Sequence, residues 1–111
     1  MSAALFASAA LAESHGDGAS IALPDDAEAA AAGAEPIFKR SCRACHGNNA
    51  QGAASYPGLA DLEADYVAEK LVAYRAGERF GPNSIVMIQH AKPLSDEDIG
   101  NLAVYVTTAF D

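Results

Sequence analysis

Cys42-Arg43-Ala44-Cys45-His46 gathers the most reactive side chains of the sequence into one short run. Two thiols three residues apart on a helical turn can each add across a vinyl group of haem, and the adjoining imidazole then reaches the iron as an axial ligand. C-x-x-C-H is the spacing of covalent haem attachment. The chain has only these 2 cysteines, so with both consumed as thioethers no thiol remains for a disulfide. Two other chemistries use similar residues. A thioredoxin-like dithiol would want a βαβ setting, of which the sequence gives no sign. A zinc site would need a further ligand, and His15 or His90 would have to come from far along the chain. An iron held by one histidine also needs a sixth ligand, for which Met87 and His90 are the downstream candidates. A thioether raises the reduction potential and fills the site; a second imidazole gives a lower potential. Met87 lies between a Gly/Pro/Asn turn and Pro93, which suits a ligand held in a loop over a flat ring.

These residues have to be positioned by a small body. The chain has 111 residues, one domain's worth, with 50% hydrophobic residues but only 7% aromatic and no Trp. Much of the apolar share is Ala, which buries little area, so the core is thin for this length and a cofactor would supply missing volume. The net charge of −8 argues against nucleic acid or an anionic membrane as partner, because phosphate binding needs a basic face. No apolar run reaches the roughly 18 residues of a membrane helix. The acidity is uneven. Glu13, Asp17, Asp25, Asp26, Glu28 and Glu35 precede every Lys and Arg, and the rest of the chain is nearly balanced.

Residues 3–12 are a short apolar run ending in Ala10-Leu11-Ala12, the pattern of a signal peptide cleaved before Glu13, although no basic residue opens it. Export to the periplasm is the expectation. Residues 13–34 are rich in Ala, Gly, Ser and acids, and read as a linker, with transient helix at the alanine run from Ala27 to Ala32. Residues 35–111 read as the folded domain. Pro36 suits the first turn of a helix running through Ile37 and Phe38 to Cys42. A loop follows from Gly47 to Gly52, with Pro57-Gly58 beyond it. Val67, Leu71 and Tyr74, extended by Leu62 and Tyr66, form a helical stripe that Gly77 ends. Phe80-Gly81-Pro82-Asn83 is a turn before a short segment from Ile85 to His90. Ser95 caps a last helix with Asp98 at the N3 place of a capping box, and Ile99, Leu102, Val106 and Ala109 make its buried face. Strand alternation is absent. The class is all-α, with four to five helices.

On these residues the sequence resembles the class I c-type cytochromes, closest to the small bacterial periplasmic monohaem types of the c4, c5 and c553 kind. The likeness spans about residues 33–111. It rests on Ala34 and Phe38 ahead of C-x-x-C-H, then Tyr56-Pro57-Gly58-Leu59-Ala60-Asp61-Leu62, then Ala73-Tyr74-Arg75-Ala76-Gly77-Glu78-Arg79. Asn83 with Met87 follows, and last the run from Leu94 to Ile99 with Leu102, Ala103 and Tyr105. The resemblance implies one haem c wrapped by the helices. Cys42 and Cys45 would hold it, with His46 as proximal ligand and Met87 as distal ligand. The Pro57 carbonyl would accept the second ring N–H of His46, as partners behind metal ligands do. Leu59, Leu62, Leu71 and Leu94 would line the haem face, and Phe38 would pack on Tyr105 where the first and last helices cross. Two departures stand out: Asn83 and Met87 are four apart where relatives often have three, and His90 replaces the usual Ile or Met.

The implied function is one-electron transport, not catalysis, because a six-coordinate haem offers a substrate no open site. The expected partners are periplasmic redox proteins: a dehydrogenase as donor, of the sulfite or other sulfur-compound kind, and a terminal oxidase or another cytochrome as acceptor. Lys39, Arg40, Arg43 and Lys92 flank the two ligand segments and would form a basic rim that steers docking onto an acidic partner. The alternative is a ligand-binding or sensing haem protein whose sixth ligand is displaced.

Overall fold

The computed structural model describes residues 21–52 and 58–110, and every regular element among them is helical. In chain order these are α1 (Ala27–Ile37), a π-helical stretch (Phe38–Cys42), α2 (Arg43–His46), α3 (Ala64–Arg75), α4 (Ser84–Ala91) and α5 (Asp96–Thr108). This is the all-α class expected. The apolar run of residues 3–12 and its cleavage point lie outside the described residues, as do Tyr56 and Pro57.

Among the described residues, order is present well before Glu35. Residues 21–34, the described part of the segment read as a linker, include a buried Ile21 and the start of a helix, while residues 13–20 lie outside the described residues. Asp26 caps α1 by accepting from the Glu28 N–H at 3.0 Å, and Glu28 sits in the first turn, so part of the acidic leader serves to start a helix. The alanines that looked too small to anchor anything are what bring two helices together. Ala30 and Ala34 are fully buried one turn apart, and a Cβ on Gly33 would lie 2.5 Å from the Asn101 amide of α5. Small side chains let the backbones approach, and close approach replaces bulk. Ahead of α1, Ile21 is buried, and the Ala22 carbonyl would meet a Cβ on Gly100 at 2.5 Å, so residues 21–24 lie as a strap on α5.

Pro36 is therefore near the end of α1, not in a first turn. It brings no N–H for the carbonyl one turn back, and the helix widens to the π form at Phe38, where the Arg43 N–H reaches back to the Phe38 carbonyl. The π stretch runs directly into the C-x-x-C-H turn, a placement common at functional sites.

The heaviest packing joins α1 to α5. Phe38, 1% exposed, meets Tyr105 edge to face at 5.6 Å and Phe110 at 5.6 Å, while Tyr105 and Phe110 lie 5.4 Å apart. Each such pair adds about 0.5–1.5 kcal/mol beyond its buried area. The capping box at Ser95 and Asp98 is present in both directions. Ile99, Leu102 and Val106 are buried as expected, whereas Ala109 is exposed because α5 has already ended there. α3 closes with Gly77 at φ 92°, its N–H on the Tyr74 carbonyl and the Glu78 N–H on the Ala73 carbonyl. That is the left-handed glycine stop that satisfies the last carbonyls of a helix.

Candidate functional site

Between these helices lies an apolar cavity of about 450 Å³. Its lining brings together residues far apart in sequence: Cys42, Cys45 and His46 at the α1–α2 end, Leu59, Leu62 and Leu71 around α3, and Met87, His90 and Leu94 in and just after α4. Of the site residues expected from the sequence, all that are described share this one cavity. Pro57 falls outside the described residues, and with it the expected bond from His46 to its carbonyl.

The turn after α2 explains how His46 is held. Gly47 has φ 94° and ψ 154°, a conformation essentially confined to glycine. It lets the chain double back, so that the Gly52 N–H donates to the His46 carbonyl at 2.7 Å. Ala50, fully buried with φ 56°, accepts at its carbonyl from both the Leu59 and the Ala60 N–H groups, at 2.7 and 3.1 Å. The loop thus carries Leu59 to the cavity beside a buried His46. A non-glycine residue in the left-handed region costs about 1–2 kcal/mol, and here its two hydrogen bonds offset that cost.

The other end of the cavity differs from expectation in one respect. Met87 stands in a helix, α4, and not in a loop. The turn before it is fixed by the buried Ser84, whose Oγ accepts from the Phe80 and Gly81 N–H groups at 2.7 and 2.9 Å. The turn after it is fixed by Arg75: one guanidinium nitrogen donates to the Leu94 carbonyl at 3.1 Å and another pairs with Asp96 at 2.7 Å. Two local clamps hold a short helix whose own packing is chiefly on α3.

The rim contains residues the sequence reading did not single out for the site. Tyr66, Tyr74 and Phe80 border the cavity; Tyr74 and Phe80 meet edge to face at 5.4 Å, and Lys70 Nζ sits 3.6 Å from the Phe80 ring centre. Only Tyr66 and Tyr74 were signalled, through the α3 stripe; Phe80 lay in a segment legible solely as a turn. The basic rim is thinner than expected, since Lys39 pairs with Glu35 at 3.1 Å one turn back. Arg40, Arg43 and Lys92 remain exposed.

The donor set fits haem c better than its rivals. Burial pushes the Cys42 thiol up to about 11, with Arg40 pulling the other way. A redox dithiol needs a thiol shifted down. Among the described residues no three His, Cys, Asp or Glu side chains gather as a metal-binding group of the kind zinc takes. A flat, apolar macrocycle suits the walls: leucines for its faces, two thiols at one end, and a nitrogen and a sulfur donor from different helices.

Comparison with known proteins agrees. The cytochrome c family model matches residues 30–110. Cytochrome c-554(548) of Halomonas halodenitrificans is 44% identical over 80 residues, covering 71% of this chain and 94% of its own. The thiosulfate dehydrogenase electron acceptor of Thiomonas intermedia is 43% identical over 74 residues, 65% of this chain but only 33% of that protein. Among solved structures, reduced cytochrome c4 from Pseudomonas stutzeri superposes with a TM-score of 0.65 at 31% identity, covering 79% of this chain; the chain spans about half, 51%, of that protein.

Proposed function

The chain belongs to the cytochrome c family, and on that premise we propose that it is a periplasmic carrier serving a sulfur-compound dehydrogenase. It is a monohaem electron-carrying cytochrome, with one covalently bound haem c. In the proposed arrangement Cys42 and Cys45 would hold the haem through two thioethers. His46 and Met87 would be the side chains that hold its iron. Haem c supplies the one-electron iron couple. Leu59, Leu62, Leu71 and Leu94 keep water from it, which together with the thioether favours the reduced, less charged state. With His46 and Met87 both holding the iron, the site would transfer electrons and leave a substrate no open position.

The observation that carries this reading is the single cavity shared by the C-x-x-C-H turn and Met87. The named relative from Thiomonas intermedia favours thiosulfate oxidation as the electron source, with a terminal oxidase or another cytochrome as acceptor. None of the described helices is long and apolar enough to cross a membrane. Two measurements test the proposal. The ferric protein, matured with haem in a bacterial periplasm, should show the weak red band of methionine sulfur on iron; a spectrum without it removes Met87 as ligand. Thiosulfate dehydrogenase with thiosulfate should then reduce the protein within its turnover time, and failure to do so rules out that donor while leaving the cytochrome intact.

A further inference from the structure

Beyond His46 and Met87 the cavity lining includes two further nitrogen bases, Lys70 and His90; Lys70 Nζ is engaged over the Phe80 ring at 3.6 Å, and His90 shares a helix with Met87. Met87 and His90 both line the cavity, three residues apart on α4, with Ala91 and Leu94 continuing the same face. Ile88, between them, is buried and does not border the cavity. Three residues of α-helix span about 4.5 Å along the axis and leave the two side chains about 60° apart around it. His90 thus stands at the exposed edge of the cavity, within one helical turn of the position that Met87 fills. A loop would have to refold to exchange these donors; a helix need only shift or turn, and interfaces that move by one turn are a known repertoire.

α4 is a short element anchored mainly at its two ends. It has eight residues and packs chiefly on α3. Its entry turn contains Gly81, where an added Cβ would meet nothing within 4 Å, and its exit is a Lys92-Pro93 turn. Ser84, the first residue of α4, ties the helix to its entry turn, and Arg75 holds the exit at the Leu94 carbonyl.

We propose that His90 is a reserve iron ligand: when the Met87 thioether leaves, the His90 imidazole takes its place and keeps the site closed. This rests on Met87 being the resident distal ligand. The exchange is one bond for another, iron–sulfur broken and iron–nitrogen formed, with both ligands neutral and no electron moved. Its consequence is a second, lower-potential form of the same carrier, since imidazole in place of thioether lowers the potential.

The test compares holoprotein variants by ferric absorption and electron paramagnetic resonance. Wild type should show the methionine band, which secures the premise independently. Met87→Ala should remain low-spin with two imidazoles, and Met87→Ala with His90→Ala should become high-spin. Carbon monoxide uptake by the reduced double variant should exceed that of Met87→Ala by about tenfold or more, because the internal ligand no longer occupies the site. High-spin Met87→Ala, or equal uptake by both variants, overturns the proposal, and so does a double variant that stays low-spin through some other donor. A wild type already ligated by His90 overturns it together with the Met87 assignment. Should the variants fail to retain haem, gradual warming decides. On losing its methionine band wild type should pass to a low-spin form and His90→Ala to a high-spin one; identical products overturn the idea.

Discussion

The two halves of the molecule are held together in different ways. Where α1 crosses α5, the protein completes its own core: Phe38, Tyr105 and Phe110 interlock, Ala30 and Ala34 are fully buried, and a capping box secures α5. Around α3 and α4 the leucines are only half-buried, and they face a cavity of about 450 Å³. In the proposed arrangement haem c would be the core of that second half. A chain with so little aromatic side chain would then draw part of its interior from a rigid cofactor attached at two points.

The comparison can be broken most severely by denying the protein its haem. Replacing both thiols, Cys42→Ser with Cys45→Ser, should remove stability comparable to that of a whole small domain, about 5 kcal/mol or more. Hydrogen exchange should show amide protection lost first in α4 and the 47–52 turn and last in α5; loss in equal measure everywhere would mean that the halves are not distinct. Next in size is Phe38→Ala, which removes the ring shared by two aromatic pairs and should cost about 3–5 kcal/mol. Because Phe38 does not border the cavity, melting should shift down while the visible spectrum at room temperature stays unchanged. A changed spectrum would show that the aromatic crossing also shapes the haem site. Gly100→Ala should cost about 1–3 kcal/mol, since the methyl group would press on the Ala22 carbonyl. Denaturant melts would read it. The smallest effect is expected for Ser95→Ala, about 1 kcal/mol from the lost cap.

The α5 helix was legible in advance because its signals are local: a cap, three acids in the first turn, and a regular apolar stripe. The site was legible for a related reason. Cys42, Cys45 and His46 are adjacent, and Leu71 sits on a clear stripe. What escaped reading depends on contacts between distant segments. The start of α1 looked like a spacer because Ala30, Gly33 and Ala34 offer little apolar area, and only α5 lying close to them makes small residues an asset. Met87 was expected in a loop because the segment before Pro93 is short; its helix depends on the Ser84 and Arg75 clamps, whose partners are the Phe80 and Gly81 N–H groups and the Leu94 carbonyl. Lys39 counted toward a basic rim until its neighbour Glu35 proved to be helical and one turn away.

The strap over Gly100 has a practical corollary for anyone trimming this protein. The region matched by the family begins at residue 30, yet Ile21 is already buried and Leu23 packs against the core. A fragment cut to the matched region would discard both, along with the Asp26 cap, and would leave Gly100 facing water where a carbonyl had covered it. A fragment meant to keep this packing has to include Ile21, nine residues ahead of the start of the matched region.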